Sequence, residues 1–300
     1  MKTLVYGSLN IDHVYRLPHF LRPGETLPSE KYSRGSGGKG LNQAIALARA
    51  GMDTWFAGGL GQDGLFLKEA LEGDNVNTSL LKMADVPTGH AIICVNDEGE
   101  NAILLYGGAN QTVTEEDILR TLDACAPGDA VLLQNEINLV PEIILRAKER
   151  GLTVVLNPSP ASPDMANWPL HMVDWLILNE VEGFDLTGQR DPDAIADALL
   201  IRCPAMHVVL TLGPEGSLYA DATSRLRQQA MPVDAVDTTA AGDTFTGYLM
   251  QGIFSGMKPA EALRRASCGA AMAVERPGAS ASIPARAEVE KRLAQWTEGN

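Results

Sequence analysis

Residues 237–247, Asp-Thr-Thr-Ala-Ala-Gly-Asp-Thr-Phe-Thr-Gly, have the types and spacing that favour chemistry on an anionic group. They follow a strand-like stretch at 231–236 and run into a helical pattern, so the small residues at 240–242 would let backbone N–H groups converge at a helix start. Such a turn binds phosphate without any basic side chain. Asp243 lies in the first helical turn, where a carboxylate can accept the proton of an attacking hydroxyl. An isolated Asp there more often only stabilises the helix start, but this order of small residues, glycine and Asp after a strand favours function.

Residues 35–44, Gly-Ser-Gly-Gly-Lys-Gly-Leu-Asn-Gln-Ala, form a second candidate segment, followed by a helical pattern that Gly51 ends. The glycines formally match a dinucleotide fingerprint, but the preceding residues 30–34 are polar rather than a buried strand. A P-loop is excluded because glycine follows Lys39 where Ser or Thr would hold magnesium. The glycines would instead allow close backbone approach, and Lys39 and Asn42 offer donors and acceptors for sugar hydroxyls. A solvated lysine in a helix-capping loop explains this segment equally well.

Charge and cysteine usage exclude several classes of protein. With 24 Lys and Arg against 38 Asp and Glu, the net charge is −14, which disfavours binding to nucleic acid or to an anionic membrane. A phosphate site must therefore be built locally. The four cysteines form no C-x-x-C pattern and no histidine begins H-E-x-x-H, so neither structural zinc nor a disulfide framework is expected. Without a signal peptide or a long apolar run, the expected location is the reducing cytoplasm.

The pattern of elements predicts an α/β fold with a mostly parallel central sheet. From about residue 114, helical and apolar strand patterns alternate with short connections, as in βα units. Helices are predicted to begin at Thr114, with Asp117 completing the cap, at Pro141 and at Asp191-Pro192. The predicted strands are 3–6, 130–134, 152–156, 174–178 and 207–212.

Two insertions depart from this alternation. Residues 10–36 are polar and rich in turns, and residues 90–95 and 101–106 flank a Gly-containing loop, which predicts a β-hairpin. We expect the insertions, approximately 11–36 and 88–108, to form a small accessory sheet that serves as a lid or as a dimer surface. No repeat or linker divides the chain, so one domain over residues 1–300 is predicted.

With both glycine-containing segments in view, the chain resembles the ribokinase-like, or PfkB, carbohydrate kinase family. The resemblance covers nearly the whole chain in the family's order. Further matching motifs are Gly-Ser-Leu-Asn-Ile-Asp at 7–12, Pro-Gly-Glu-Thr at 23–26, Asn-Pro at 157–158, Asn-Glu-Val-Glu at 179–182 and Thr-Leu-Gly at 211–213. The chain departs from the family at Leu41 and Tyr248, where smaller residues are usual.

The resemblance implies a three-layer, doubly wound sheet with a small β-sheet lid and an ATP-dependent transfer of the γ-phosphoryl group to a primary hydroxyl of a pentose, foremost ribose. Asp243 would be the catalytic base, and the anion hole would comprise Ala240, Ala241, Gly242 and Asp243. The implied sugar contacts are Asn10, Asp12, Gly38, Lys39, Asn42, Glu136 and Asp243. The implied nucleotide contacts are Asn179, Thr211, Gly213, Gly216, Gly242 and Ser267.

The resemblance also implies metal ions. Glu182 would organise Mg²⁺ indirectly, and a monovalent cation such as K⁺ would act as an activator. Its implied ligands, largely backbone oxygens, are at Asp237, Thr239, Ala273, Arg276, Gly278 and Ser282. We also expect a homodimer formed through the lid.

Three other functions compete with a pentose kinase. The same fold could act on another sugar or on a nucleoside, for which Tyr15, Phe20 and Tyr32 would supply stacking rings. A catalytically silent sugar-binding protein is a second alternative, although an intact Asp243 argues against it. A dinucleotide-dependent oxidoreductase is the third, and it lacks the buried strand that it requires before residue 35.

Overall fold

The computed structural model describes residues 1–296 and contains two β-sheets. The larger sheet has nine strands, in the order β13-β12-β11-β10-β9-β8-β1-β4-β5. These strands are β1 Thr3–Tyr6, β4 Thr54–Leu60, β5 Asn77–Met83, β8 Ala130–Gln134, β9 Thr153–Asn157, β10 Trp175–Asn179, β11 His207–Thr211, β12 Ser217–Ala220 and β13 Arg225–Gln228. The strands from β11 to β5 are parallel, whereas β12 and β13 pair antiparallel at one edge.

The smaller sheet, called the lid below after its expected role, has the order β3-β2-β6-β7. Its strands are β2 Asn10–Arg16, β3 Lys31–Gly37, β6 Gly89–Val95 and β7 Asn101–Tyr106. Strand β2 runs parallel to β6, and the two outer pairs are antiparallel. The two predicted insertions therefore meet in one accessory sheet, as expected from the sequence.

Helices cover both faces of the large sheet. They are α1 Lys39–Ala50, α2 Leu65–Gly73, α3 Glu115–Leu122, α4 Val140–Glu149, α5 Glu180–Thr187, α6 Pro192–Arg202, α7 Ala241–Phe254, α8 Pro259–Val274 and α9 Arg286–Gln295. Neighbouring residues of one strand point to opposite faces. Thus Leu4 packs in a core with α3, α4 and α6, whereas Val5 packs in a second core with α1, α7 and α8. This is the predicted three-layer, doubly wound arrangement.

Several local predictions are confirmed by the structure. Thr114 and Asp117 form a reciprocal cap at the start of α3, and Gly51 ends α1 in the left-handed conformation with φ of 100°. The five predicted strands are present within a residue of their expected bounds. The domain is predicted to extend to residue 300, and residues 297–300 lie outside the described residues.

One local interpretation needs correction, and one is confirmed. The strand-like stretch 231–236 forms no strand, since Pro232 has no N–H to donate and Val236 is bound instead through its N–H to the carbonyl of Val274. The polar stretch at 30–34 enters β3, but β3 is an exposed edge strand of the lid, so the context of a dinucleotide fingerprint is still missing. No helix among residues 1–296 has the length and apolar character needed to span a membrane.

Candidate active site

The candidate site lies at the carboxyl ends of five adjacent parallel strands. Since β1, β8, β9, β10 and β11 are neighbours and run in one direction, the residues that end or follow them share one edge of the sheet. Gln134, Asn157, Asn179 and Thr211 end four of these strands. In open α/β sheets this edge is where ligands bind.

The two candidate motifs meet because α1 packs closely on α7. A Cβ placed on Gly247 would lie 2.4 Å from the Cβ of Ala46 and 2.8 Å from the backbone N of Leu47. Only glycine at 247 permits this approach of the helices. The packing brings the start of α1 against the start of α7, which joins the segments 35–44 and 237–247 in one site.

Asp243 is held by two consecutive amide side chains of α1. Asn42 Nδ2 donates to Asp243 Oδ2 at 3.0 Å, and Gln43 Nε2 donates to Asp243 Oδ1 at 2.9 Å. Asp243 is 7% exposed and lies in the first turn of α7, as predicted. The carboxylate therefore has a fixed orientation and keeps lone pairs for a further donor, because each oxygen accepts more than one hydrogen bond.

The turn before Asp243 has the geometry of an anion cradle. Ala240, at the N-cap of α7, is left-handed with φ of 61°, a conformation that non-glycine residues rarely adopt and that is often found at functional sites. Gly242 has no such φ, and a Cβ on it would meet no atom within 4 Å. Neither backbone conformation nor packing explains this glycine. The open space above it fits a bound group, and the first N–H groups of α7 point towards that end of the helix.

A cavity of about 220 Å³ adjoins this turn. It is lined by Lys39, Asn157, Ser159, Ile177, Leu178, Asn179, Glu182, Thr211, Thr238, Ala240, Gly242, Asp243 and Thr246. The cavity thus brings the candidate base, the small residues before it, the lysine of the first motif and the Asn179–Glu182 element together. A larger depression of about 620 Å³ lies beside α6 and the turn between β12 and β13, but it includes none of these residues.

Glu136 connects β8 to the first motif. Its carboxylate accepts a hydrogen bond from the hydroxyl of Ser8 and another, at 2.9 Å, from the backbone N–H of Lys39. Burial raises the pKa of Glu136 despite these donors and the nearby Lys39 amine. Although burial alone would lower the pKa of Lys39, the negative charges of Asp243, Glu136 and Glu182 outweigh it and raise that pKa. Lys39 is therefore a half-buried cation near three carboxylates rather than a solvated loop lysine.

Asp12 and Asn10 enter the site from the first lid strand. Burial, together with the nearby charge of Glu136, raises the pKa of Asp12 to about 6. Asn10 Oδ1 accepts from Asn110 Nδ2 at 2.8 Å, and Asn110 also bonds both backbone groups of Leu9. These polar side chains lie where the lid joins the large sheet.

The glycines of the first motif are required by the chain's own backbone. Gly38 has φ of 95°, and a Cβ on it would lie 2.9 Å from both the N of Asn10 and the carbonyl of Ser8. A Cβ on Gly40 would lie 2.4 Å from the N of Ser8. The close backbone approach that was predicted for these glycines is therefore made to the turn after β1.

Asn179 and Glu182 form a reciprocal cap on α5. Asn179 Oδ1 accepts from the N–H of Glu182 at 2.9 Å, and Glu182 Oε2 accepts from the N–H of Asn179 at 3.0 Å. Both residues also line the cavity. Capping and a role in the site are thus compatible at this element.

The donors present fit Mg²⁺ bound mainly by phosphates and water. Within residues 1–296, no cluster of three or more His, Cys, Asp or Glu side chains could hold a metal ion. Mg²⁺ commonly uses one or two carboxylates together with substrate phosphates, and Glu182 at the cavity wall provides such a carboxylate.

The remaining candidates for nucleotide contacts have different surroundings in the structure, and they do not all line the cavity. Thr211 lines the cavity, and Gly213 follows β11 with φ of 52° in open space. Gly216 is required by its φ of 100° and by the carbonyl of Gln228, which a Cβ would approach to 2.0 Å. Ser267 is buried in α8 and is not part of the cavity wall.

The candidate cation segment is brought together around Asp237. Its carboxylate accepts from the N–H and hydroxyl of Thr239 and from the N–H of Gly278 at 2.9 Å. These hydrogen bonds hold the pKa of Asp237 below its usual range against the effect of burial. Of the other candidates, Ala273, Arg276 and Ser282 lie at the end of α8 or in the turns after it. The hydrogen bond from Gly278 to Asp237 thus connects the loop after α8 with the segment before α7.

Sequence reasoning assigned no role to several residues that support the site. Ser8, Gln43 and Asn157 lie in motifs named above, whereas Asn110 lies in none of them and Gln134 only ends a predicted strand. Ser8 contacts Glu136, Asn110 contacts Asn10, and Gln134 contacts Gln43. A polar residue in an otherwise apolar position of α1 was the available signal for Gln43.

Residues 2–286 match the profile of the pfkB family carbohydrate kinases, so the chain belongs to this family. It is an ATP-dependent carbohydrate kinase. The chain is 37% identical over 303 residues to a ribokinase of Staphylococcus aureus (strain COL), covering 97% of this chain and 99% of the relative. It is also similar to a ribokinase of Cryptococcus neoformans var. grubii in complex with ADP, with 34% identity, a TM-score of 0.86 and coverage of 97% and 99%. A ribokinase of Arabidopsis thaliana complexed with ribose and ATP gives 30% identity, a TM-score of 0.86 and coverage of 97% and 98%.

Proposed function

We propose that this protein is a ribokinase, which transfers the γ-phosphoryl group of ATP to the primary hydroxyl of ribose. The observation that carries the proposal is the position of Asp243, which faces a cavity with both carboxylate oxygens oriented by α1. The names of the relatives above support ribose as the sugar.

In the proposed reaction, Asp243 accepts the proton of the ribose hydroxyl as the oxygen bonds to the γ-phosphorus. The bond from that phosphorus to the oxygen shared with the β-phosphate breaks, and ADP leaves with the electron pair. The N–H groups at the start of α7, beside Gly242, stabilise the charge on the transferring group. Most of the acceleration comes from positioning and charge stabilisation, since phosphoryl transfer needs little covalent help from the protein.

Metal ions would complete the proposed site. Glu182, whose Oε2 also caps α5, would help to hold Mg²⁺, which would supply charge neutralisation on the phosphates. The backbone around Asp237, Gly278 and the end of α8 would hold K⁺, since hydrogen bonds bring these segments together.

Asn10, Asp12, Lys39, Asn42 and Glu136 bind the sugar hydroxyls in this proposal. Carboxylates, amides and one amine suit vicinal hydroxyls, each of which both donates and accepts. On the nucleotide side, Asn179 and Thr211 contact ATP from the carboxyl ends of β10 and β11.

The lid favours a sugar over a nucleoside. Side chains alternate along a strand, so Asp12 points to the opposite face of β2 from Tyr15. Tyr32 is the register partner of Tyr15, and their rings pack with centroids 5.0 Å apart. Because the charge of Glu136 is close enough to raise the pKa of Asp12, Asp12 lies on the site face and the two tyrosines on the other. They are not placed to stack on a base in the site.

The same lid is the proposed surface of a homodimer. Its edge strand β7 is exposed throughout, and Leu104 is 66% exposed. An exposed apolar edge strand is a template for pairing with a second chain. Sedimentation velocity of the purified protein tests this part of the proposal.

We further propose that the protein is located in the reducing cytoplasm, in keeping with four free cysteines.

A coupled assay of ADP release over ribose, 2-deoxyribose, hexoses and nucleosides tests the proposed function. The highest kcat/KM is expected with ribose, and product analysis should show the phosphate on the primary hydroxyl. A higher kcat/KM with a hexose or a nucleoside would overturn the substrate assignment, and no turnover with any acceptor would favour a silent sugar-binding protein.

A further inference from the structure

A chain of side-chain amides leads from the sheet to Asp243. Asn157 Nδ2 donates to the backbone carbonyl of Ile177 at 2.8 Å. Gln43 Nε2 donates at 2.9 Å to Asn157 Oδ1 and at 2.9 Å to Asp243 Oδ1. Gln43 Oε1 accepts from Gln134 Nε2 at 2.6 Å, so the amide of Gln43 is bonded on three sides.

The order of donors and acceptors in this series of hydrogen bonds is fixed at its end on the Ile177 carbonyl. A backbone carbonyl only accepts, so the partner of Ile177 must be the NH₂ group of Asn157. The oxygen of Asn157 must then face Gln43, which requires the NH₂ group of Gln43 at that position. The second N–H of the same group points at Asp243. The order of donors and acceptors thus makes Asp243 an acceptor at Oδ1.

Gln43 is fully buried, with no exposed surface, and burying an amide is costly unless it is hydrogen-bonded. An apolar residue would suit the core between α1 and the sheet if packing were the only requirement. The hydrogen bonds of Gln43 reach β8, β9 and α7 together. A side chain with these contacts couples the position of one carboxylate to the rigid central sheet.

We propose that Gln43 is a positioning residue that fixes the rotamer of Asp243 and keeps its Oδ1 an acceptor, through a polarity set by the Ile177 carbonyl. Gln43 does not touch the substrate. It acts on Asp243 and leaves the remaining lone pairs of that carboxylate directed at the acceptor hydroxyl. This inference rests on the proposed role of Asp243 as the base.

Two substitutions test the inference by steady-state kinetics with ribose and ATP. Gln43→Met conserves volume and removes the donor, so kcat should fall by on the order of 10²-fold, the scale of a small misplacement of a reacting group, with KM for ribose changed less than about 3-fold. Gln43→Glu places a second carboxylate against Asp243. The pair then shares a proton, and raising the pH removes it and leaves two repelling charges.

The pH dependence separates positioning from a purely structural role. The ratio of the Gln43→Glu kcat to the wild-type kcat should fall as the pH is raised from about 6 to about 9, because only the variant carries the extra titrating group. The ratio for Gln43→Met should stay flat over the same range. Gln251→Met is the matched control, since Gln251 is a buried glutamine of α7, 3% exposed, whose Nε2 binds the hydroxyl of Ser255. That control should keep the wild-type kcat.

Three outcomes decide the matter. A wild-type kcat in Gln43→Met overturns the inference by itself, including in the case that Gln43→Glu does not fold. A fall in kcat that is matched by Gln251→Met also overturns it, because any buried glutamine would then have the same effect. Asp243→Asn, assayed in parallel, tests the proposed base separately, since its retained turnover would contradict the role of Asp243 whatever the Gln43 variants do.

Discussion

Asn42 Nδ2 lies 3.0 Å from Asp243 Oδ2, although the two residues are 201 positions apart in the chain. The hydrogen bond joins the first turn of α1 to the first turn of α7. Its formation depends on how closely the two helices pack, and Gly247 sets that distance, since a Cβ there would overlap Ala46. The geometry of the candidate base Asp243 thus depends on a glycine one helical turn further along α7.

Gly247→Ala should lower both stability and activity. The added methyl would lie 2.4 Å from the Cβ of Ala46, which forces α1 away from α7 and lengthens the hydrogen bonds to Asp243. We expect a loss of about 1–3 kcal/mol in the free energy of unfolding, the usual cost of overpacking, measured by urea denaturation, together with a lower kcat. Gly73→Ala is the control, because a Cβ at Gly73 meets no atom within 4 Å. Unchanged stability in Gly247→Ala would refute the packing argument.

Gly242→Ala should separate stability from activity. Because nothing lies within 4 Å of the added methyl and alanine favours helix, the folded protein should be as stable as wild type or more stable by up to about 1 kcal/mol. The methyl would project where the phosphoryl group is proposed to bind, so kcat should fall by on the order of 10²-fold, as when one donor of an oxyanion site is lost. Thermal unfolding and the ADP-release assay measure the two effects. A fully active Gly242→Ala enzyme would show that the space above this turn has no catalytic role.

Asp12→Asn should stabilise the ligand-free protein at neutral pH. Burial raises the pKa of Asp12 from 3.8 to about 6, so the folded state favours the protonated group. The stability that this provides is present below pH 3.8 and is lost as the pH rises through about 6. Since one pKa unit corresponds to about 1.4 kcal/mol, the ionised group costs on the order of 3 kcal/mol at neutral pH.

The free energy of unfolding of Asp12→Asn minus that of wild type should therefore increase between about pH 4 and pH 7, as measured by urea denaturation. The variant should also bind ribose more weakly, by roughly 10-fold or more, because a hydrogen bond to a charged acceptor is lost. Asp97→Asn, which alters an exposed carboxyl group in the lid hairpin, should show neither effect. A difference that decreases with rising pH would contradict the assigned pKa direction.

The sequence predicted the parts of the fold that carry strong local signals. Thr114 with Asp117 forms a cap whose hydrogen bonds are made within four residues of chain. Strands such as β8 are apolar on both faces, as buried parallel strands are. Strand β4 gives a weaker signal, because it contains Gly58 and Gly59, and small residues weaken the strand pattern.

The sequence singles out the residues of the candidate site by their types but does not specify the contacts between them. The residue types at 237–247 indicated an anion site and a base, and the structure places them at one cavity with Lys39 and Asn179. The contact of Gln43 with Asp243 depends on the packing of α1 against α7, which no local pattern specifies. The stretch at 231–236 has an apolar alternation typical of a strand, yet Pro232 and the hydrogen bonds to Val274 prevail over it.

The central claim, that Asp243 removes the proton of the acceptor hydroxyl, is tested most directly by Asp243→Asn. Asparagine keeps the size of the side chain but is a far weaker base, so binding and chemistry can be measured separately by calorimetry and by ADP release. We predict that ribose and ATP still bind, with affinities within about 10-fold of wild type, while kcat falls by on the order of 10²–10⁴-fold, the usual contribution of general base catalysis. Turnover at the wild-type rate in a variant that binds both substrates would contradict the account.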